Sequence, residues 1–453
     1  MIRKTLYTIL MLISSCFVSA QSVSTNSQLK LMNYALTALE YNYFVSNEDF
    51  KSMMILPSDD GMLSYIDPVS YGQTISQKWK FYFDESNHAI TAGIFLCEYN
   101  EKTGNWEEMD SIGVMRNKDL KIMNDAIRNR LEDLLKNIII KGDYEADKLY
   151  YKTMGNMVVR IDGVNKGNAV YGPHQIDSKS PLQITESFVD KGCRVLVVNG
   201  PVMGSRKSVE MVLRENPEFS NFLEIMYACE CFSSYNSKDN CSSVVQSGNM
   251  LSMNEDYFMP SSDKYLLDDF HYTIYAPTNT AMEKAFSQGL PNLEDYSEAL
   301  KQDDYLVSIG EVANSAYKIR SVWFDFIKYH IQDYSVFVDK ETKSRKYNTA
   351  MNALVKVEGN TYYSIGKPYQ LTVEASNSKL KITDAVGNVH NVNASTGLYN
   401  IIANEYWVDG TLDYGNNKRT ENSMINSSST SVIHAIDTPL MFSSEQFKYK
   451  FDN

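Results

Sequence analysis

Histidine is scarce, with six residues in 453 and no clustered pair. A catalytic zinc needs three convergent protein ligands, so metal catalysis is not indicated. Also missing are a Gly-x-Ser-x-Gly elbow, a His-Glu-x-x-His helix and a Gly-rich loop closed by Gly-Lys-Ser/Thr. Their absence removes the usual sequence marks of serine hydrolases, zinc proteases and phosphate-binding enzymes. Positive charge is short as well: 43 Lys+Arg face 56 Asp+Glu, a formal net charge of −13. Without a basic stripe to displace counterions, a nucleic-acid partner is excluded. No stretch beyond residue 20 approaches the roughly 20 apolar residues that cross a bilayer as a helix.

What is present begins with a targeting pattern. Arg3 and Lys4 precede an apolar run from Leu6 to Val18, and the small-residue triplet Val18-Ser19-Ala20 stands before Gln21. This is the layout of a secretory signal peptide, expected over residues 1–20. Ile13-Ser14-Ser15-Cys16 also fits a bacterial lipobox, in which a lipid on Cys16 would be the one route to membrane attachment. Either reading expects an exported chain in the cell envelope or outside the cell. Removing residues 1–20 deletes two bases and no acid, taking the charge from −13 to −15.

The remaining length exceeds what a single hydrophobic core supports, and 43% apolar content argues for folded domains, so two are expected. Thirty-one tyrosines suit sheet surfaces and contact faces alike. Beyond Cys16 there are five cysteines. Cys97 and Cys193 lie in apolar strand-like runs and read as buried thiols, whereas Cys229, Cys231 and Cys241 crowd a Ser/Asn-rich stretch. One local disulfide closing 233–240 is expected from that trio; a zinc site is the alternative, weakened by the lack of a nearby histidine.

Four short patterns recur in one order. Leu56-Pro57-Ser58-Asp59-Asp60-Gly61-Met62 matches Ala276-Pro277-Thr278-Asn279-Thr280-Ala281-Met282. In each, a strand stopped by proline feeds a helix whose free N–H groups the hydroxyl or the Asp/Asn can cap. Leu135-Lys136-Asn137-Ile138-Ile139 matches Ile327-Lys328-Tyr329-His330-Ile331, each closing a helix. Tyr151-Lys152-Thr153, Asn156 and Val159 to Gly163 match Tyr347-Asn348-Thr349, Asn352 and Val355 to Gly359 at identical spacing, reading as a half-buried strand entering a turn. Val195 to Met203 matches Ile433 to Met441, a buried strand leaving through proline. The first copy carries its long insertion between the first two patterns, the second copy between the last two.

The boundary falls after Met203. Val209, Val212, Leu213, Phe219, Phe222, Leu223 and Met226 recur at helical spacing, with Asn216-Pro217 splitting the run into two helices. The first copy opens likewise on Leu29, Met32, Leu36 and Leu39.

On these residues the chain resembles the fasciclin (FAS1) family. Tyr272-Thr273-Ile274-Tyr275-Ala276-Pro277-Thr278-Asn279 resembles its first box, and Ser431-Val432-Ile433-His434-Ala435-Ile436-Asp437-Thr438-Pro439-Leu440 its second. The first copy departs from the family at Asn137-Ile138, where the pattern has Tyr-His. The resemblance implies an α+β fold of two tandem domains, 21–204 (divergent) and 205–453, each a β-wedge or sandwich flanked by helices. It implies adhesion to a surface or matrix protein or a glycan, without catalysis, cofactor or metal. Tyr329 and His330 are the binding residues it implies. Read from its surroundings alone, a Tyr-His at a helix end packs and hydrogen-bonds within its own domain. His434, mid-strand between apolar neighbours, reads as a satisfied core histidine.

Two alternatives stand beside adhesion: a structural component of a surface assembly, and a secreted hydrolase. For the latter, Ser261-Ser262-Asp263-Lys264 and Ser376-Asn377-Ser378-Lys379 satisfy Ser-x-x-Lys, but both lie in polar loops. Asp268-Asp269 and Glu107-Glu108 are adjacent, so each pair diverges on a regular element.

Overall fold

The computed structural model describes residues 21–47, 51–71, 75–122, 125–229, 231, 245–246, 271–356, 363–376, 379–392, 397–409, 412–413, 418–419 and 423–447. It is a mixed α+β structure with several sheets. Within 21–204 the elements are α1 (Lys30–Ala38), α2 (Tyr43–Ser46), β1 (Ser52–Pro57), β2 (Tyr65–Ile66), β3 (Ser76–Asp84), β4 (Ala89–Asn100), β5 (Asn105–Asn117), α3 (Ala126–Lys136), β6 (Ile139–Lys141), β7 (Tyr150–Lys152), β8 (Val158–Ile161), β9 (Ala169–Tyr171), α4 (Pro173–Asp177), β10 (Leu182–Asp190) and β11 (Cys193–Val198). Within 205–453 they are α5 (Val209–Glu215), α6 (Ser220–Ala228), β12 (Val245–Gln246), β13 (His271–Pro277), α7 (Asn279–Ser287), α8 (Leu293–Ser308), α9 (Ser315–Tyr329), β14 (Ile331–Asp333), β15 (Glu341–Lys356), β16 (Tyr363–Ser376), β17 (Lys379–Thr383), β18 (Val389–Asn391), β19 (Ile401–Asp409), β20 (Leu412–Asp413), β21 (Lys418–Arg419) and β22 (Met424–Ile436).

One seven-stranded sheet runs β6-β1-β11-β10-β9-β8-β7, and a nine-stranded sheet runs β12-β19-β22-β13-β14-β15-β16-β17-β18. The recurring patterns occupy matching registers in the two. β1 pairs in parallel with β11, Pro57 opposite Val198; β13 pairs in parallel with β22, Pro277 opposite Ile436. On their other sides Met54 faces Ile139 and Ile274 faces Ile331, both antiparallel. Ile140 bridges Thr153 as Gln332 pairs Thr349. Both proline-ended strands are buried at every position, as a sheet-centre strand beside a parallel neighbour should be. Past the proline, which cannot extend the ladder, Ser58 N–H donates to Val198 O at 2.9 Å and Thr278 N–H to Ile436 O at 3.0 Å. The hydroxyls then cap: Ser58 Oγ accepts from Gly61 N–H and Thr278 Oγ1 from Ala281 N–H.

Two expectations change. After Pro277 the chain enters α7, whereas after Pro57 it makes only a short 3-10 turn, Gly61–Ser64, and passes into β2. The third pattern keeps its spacing but not its shape. In the first copy the chain folds back at Asn156 (φ +68°), so Tyr151 and Val159 pair across a hairpin; in the second, 347–356 continue as one strand. Gly155 explains the difference: a Cβ there would run into the Asn137 side chain, and the second copy has Met351 at that position.

The insertion of the first copy supplies the four-stranded sheet β2-β3-β4-β5. α5 and α6 break at Asn216-Pro217, with Val209, Val212, Leu213, Phe219, Phe222, Leu223 and Met226 buried. α1 buries Met32 and Leu36 between Leu29 and Leu39, all four in the core of the first copy.

The two copies meet across a mixed junction. Tyr71, Ile66, Val69 and Cys97 pack on Tyr406 and Ile425, and Val158 packs with Phe337, Ile402 and Val432. Tyr150 stacks on Phe337 with ring centroids 4.1 Å apart. The Asp339 carboxylate accepts the Leu149 and Tyr150 N–H groups, and Asn404 Oδ1 accepts Ser205 N–H at 2.7 Å in the linker. Arg130 is buried with Asp67: Nε and Nη2 bind the carboxylate at 3.1 and 3.0 Å, while Nη1 donates to the Ser423 carbonyl.

The Cys97 and Cys193 thiols are buried, and burial pushes them up to about 12 and about 11. Cys229 and Cys231 lie in the core of the second copy, with Cys229 Sγ on the Arg320 carbonyl. Cys241, the third member of the expected disulfide trio, lies outside the described residues, as do residues 1–20 with Cys16. Among the described residues no helix is long and apolar enough to cross a membrane.

Candidate functional site

Tyr329 and His330 end α9, whose apolar face (Ile319, Val322, Phe326) packs into the core. That placement carries both side chains inward, and both are fully buried. Tyr329 Oη accepts Ala385 N–H at 2.8 Å. His330 Nδ1 lies 2.7 Å from the Phe326 carbonyl and so carries the proton, leaving Nε2 to accept Leu440 N–H at 3.0 Å. Burial holds the imidazole neutral, pushing its pKa down to about 3. The contact role that the family resemblance implied for this pair is therefore corrected: neither group meets solvent, and each closes an orphan backbone donor of another segment. His434 is likewise enclosed, with Nε2 on the Val336 carbonyl at 2.9 Å and Nδ1 accepting Asn400 N–H.

One constellation escaped sequence reasoning. His390 Nδ1 lies 2.7 Å from Thr438 Oγ1 and Nε2 lies 3.0 Å from Asp384 Oδ2, a hydroxyl–imidazole–carboxylate order that can activate a nucleophile. The carboxylate, however, also accepts N–H groups of Val386, Asn388 and Met441. Burial would raise its pKa, but these donors and His390 outweigh it and hold the carboxyl low. Asp384 thus clasps the turn at 384–388 to the chain after Thr438. Asp384 and Thr438 sit 6 and 48 positions from His390, beyond any local motif.

The remaining sequence candidates separate. Ser376 and Lys379 are paired positions of the antiparallel strands β16 and β17, so no helix places the lysine beside the serine. Ser261 to Lys264 and Asp268-Asp269 lie outside the described residues. Glu108 is held by Lys78 and Lys80, Glu107 by Asn100. Among the described residues no group of three His, Cys, Asp or Glu side chains is placed to hold a metal ion.

The surface feature that stands out is the α8–α9 hairpin. Asn292 caps α8 by accepting Glu294 and Asp295 N–H, and Asp295 answers by accepting Asn292 N–H. Asp303 reaches across to accept the first N–H groups of α9, Ser315 and Ala316, at 3.0 and 2.9 Å. Trp323 anchors the hairpin base by donating to the Pro291 carbonyl and packing on Tyr296. On this scaffold only Ala299 of α8 is buried. Leu293, Leu300 and Val307, seven residues apart, form one exposed stripe beside the inward face. Tyr305, Ile309, Val312 (85% exposed) and Tyr317 extend the apolar surface around the tip. Seven of the eighteen exposed large apolar residues among the described ones therefore lie within 293–317. Single exposed apolar residues need no explanation, but a concentration of this kind marks contact surface. Glu294, Asp295, Glu298, Asp304 and Glu311 accompany it, with Lys301 the one base of α8. Sequence periodicity could have shown the seven-residue stripe, but not that it would lie uncovered.

No family model matches the chain, and no curated protein does. Among solved structures the chain is similar to a FAS1 domain pair from the insect cell adhesion molecule Fasciclin I, at 12% identity over 92% of this chain and 96% of that one, with a TM-score of 0.24.

Proposed function

We propose that this is an exported binding protein of the cell envelope: two FAS1-like domains, 21–204 and 205–453, that act by contact and perform no chemistry. The tandem reading rests on the paired registers of β1/β11 and β13/β22. The binding reading rests on one observation, the uncovered apolar stripe of Leu293, Leu300 and Val307 with its acidic surround. A stripe at seven-residue spacing suits an apolar helix face of a protein partner, and the local negative charge suits basic flanks on that partner. Export rests on the pattern in residues 1–20.

The test uses the mature chain and a Leu300→Ser/Val307→Ser variant, immobilised and exposed to envelope extract and, separately, to a glycan array. The expected result is a protein partner retained by the wild type and lost by the variant, with both keeping the same thermal midpoint. Retention by the variant, or binding to glycans alone, would reject the hairpin as the contact surface. The second reading, a structural part of a surface assembly, is favoured by the locked junction and would show as a stoichiometric complex independent of the hairpin.

A further inference from the structure

The residue that follows β6 and the residue that follows β14 share one backbone geometry but not one side chain. Met54 faces Ile139 as Ile274 faces Ile331, which puts Gly142 and Tyr334 in equivalent places at the ends of the two strands. Gly142 N–H donates to the Lys51 carbonyl and Tyr334 N–H to that of His271, both at 2.9 Å. Both residues are left-handed, with φ +96° at Gly142 and +64° at Tyr334. Glycine takes that conformation freely, whereas a bulky aromatic residue is strained in it. The first copy makes the turn with no side chain at all, over open space: a Cβ on Gly142 would meet nothing within 4 Å. In the second copy Thr273 Oγ1 holds the strained turn, donating to the Tyr334 carbonyl at 2.8 Å and accepting Val336 N–H at 2.9 Å. Strain kept where glycine would serve points to a use for the side chain.

The surroundings of Tyr334 say what that use is. The residue is 44% exposed, and its ring lies 6.2 Å from that of buried Tyr347. Arg345 Cζ lies 5.5 Å from the centroids of both rings. Arg206 shows the closed form of such a contact: it lies 3.4 Å over Tyr99 and spends its fork on Glu101 at 2.8 Å. Arg345 is exposed, is not flush with either ring and, among the described residues, pairs with no carboxylate. Residues 340–346 carry four bases and one acid in a chain of formal net charge −13, so this stretch favours an anion where the chain as a whole does not. A half-exposed ring beside an unspent guanidinium fork fits a guest with a flat C–H face and a carboxylate fixed next to it. A hexuronic acid carries both on one ring; a Glu or Asp side chain holds its carboxylate on a flexible stem with no such face. Arginine grips a carboxylate through two parallel N–H···O bonds, and tyrosine offers rigid amphipathic contact area. We propose that Tyr334 and Arg345 form a binding site for one uronic acid residue of an acidic glycan, the sugar face on Tyr334 and the carboxylate on Arg345. The site does not depend on the α8–α9 hairpin.

Calorimetric titration of the mature chain with trigalacturonate tests it, with the neutral galactose trimer and hexaglutamate as comparisons. The wild type and Leu300→Ser/Val307→Ser should bind trigalacturonate alike, which separates this site from the hairpin. Arg345→Gln, a change at an exposed side chain, should weaken binding at least about tenfold. Tyr334→Gly should weaken it similarly while leaving the thermal midpoint within roughly 2 °C, since glycine relieves the turn. If Tyr334→Gly fails to fold, Arg345→Gln decides alone. The proposal is overturned by no binding of trigalacturonate to the wild type, by equal binding of the neutral trimer or of hexaglutamate, or by undiminished binding to Arg345→Gln. A lowered midpoint with intact binding in Tyr334→Gly would overturn it too, by showing that the ring serves packing alone.

Discussion

Asn129 and Ile425 form a reciprocal pair across 296 residues: Asn129 Nδ2 donates to the Ile425 carbonyl at 2.9 Å, and Ile425 N–H donates to Asn129 Oδ1 at 2.8 Å. The side-chain amide of α3 thereby does for the start of β22 what a neighbouring strand would do. Asn129→Ala leaves both Ile425 groups without partners at a partly buried site, at about 1–3 kcal/mol. Denaturant titration should show a lowered midpoint, while Asn129→Asp, which still accepts, should lose less.

Arg130 and Asp67 make a sharper test of the same junction. Removing Arg130 strands a buried carboxylate, so Arg130→Met should destabilise by roughly 3–5 kcal/mol. Arg130→Met/Asp67→Leu should recover part of that loss, because no charge then remains to be buried. A double-mutant cycle by urea unfolding measures the coupling; additive losses would contradict the account.

His434 gives the acid limb of stability a sign. Burial lowers its pKa from 6.5 to about 4. The unfolded chain takes up a proton below 6.5 that the folded chain refuses, so this contribution is complete above 6.5 and is lost as pH falls through 4. His434→Gln should flatten the fall in thermal midpoint between those values.

Tyr329→Phe keeps the packing of the ring and orphans Ala385 N–H, for about 1–3 kcal/mol by calorimetry or urea unfolding. Because the ring is buried, partner binding by the variant should equal that of the wild type when both are folded.

The frame of the fold was legible because its signals are local. Proline after an apolar run, a hydroxyl cap behind it and Met62 or Met282 turned inward recur where both strands end, and the registers of β1 and β13 follow. The helix break at Asn216-Pro217 was legible for the same reason. What could not be read depends on distance in sequence. The Asn129–Ile425 pair, the Asp384–His390–Thr438 clasp and the meeting of Tyr65 with Tyr406 bring together residues that share no motif. Identical spacing misled at Asn156 and Asn352, since Gly155 alone permits the fold-back. At Tyr329-His330 the local reading, a helix end packed and hydrogen-bonded within its own domain, agrees with the burial of both side chains; only the contact role implied by resemblance pointed outward.

The central claim is that the tip of the α8–α9 hairpin is where a partner docks. A photo-crosslinking residue placed at Val307 in the exported protein, on intact cells, tests it, with Val189 of β10, also exposed, as control. The account predicts a discrete protein adduct from position 307 and none from 189; the same adducts from both positions, or none from 307, would contradict it.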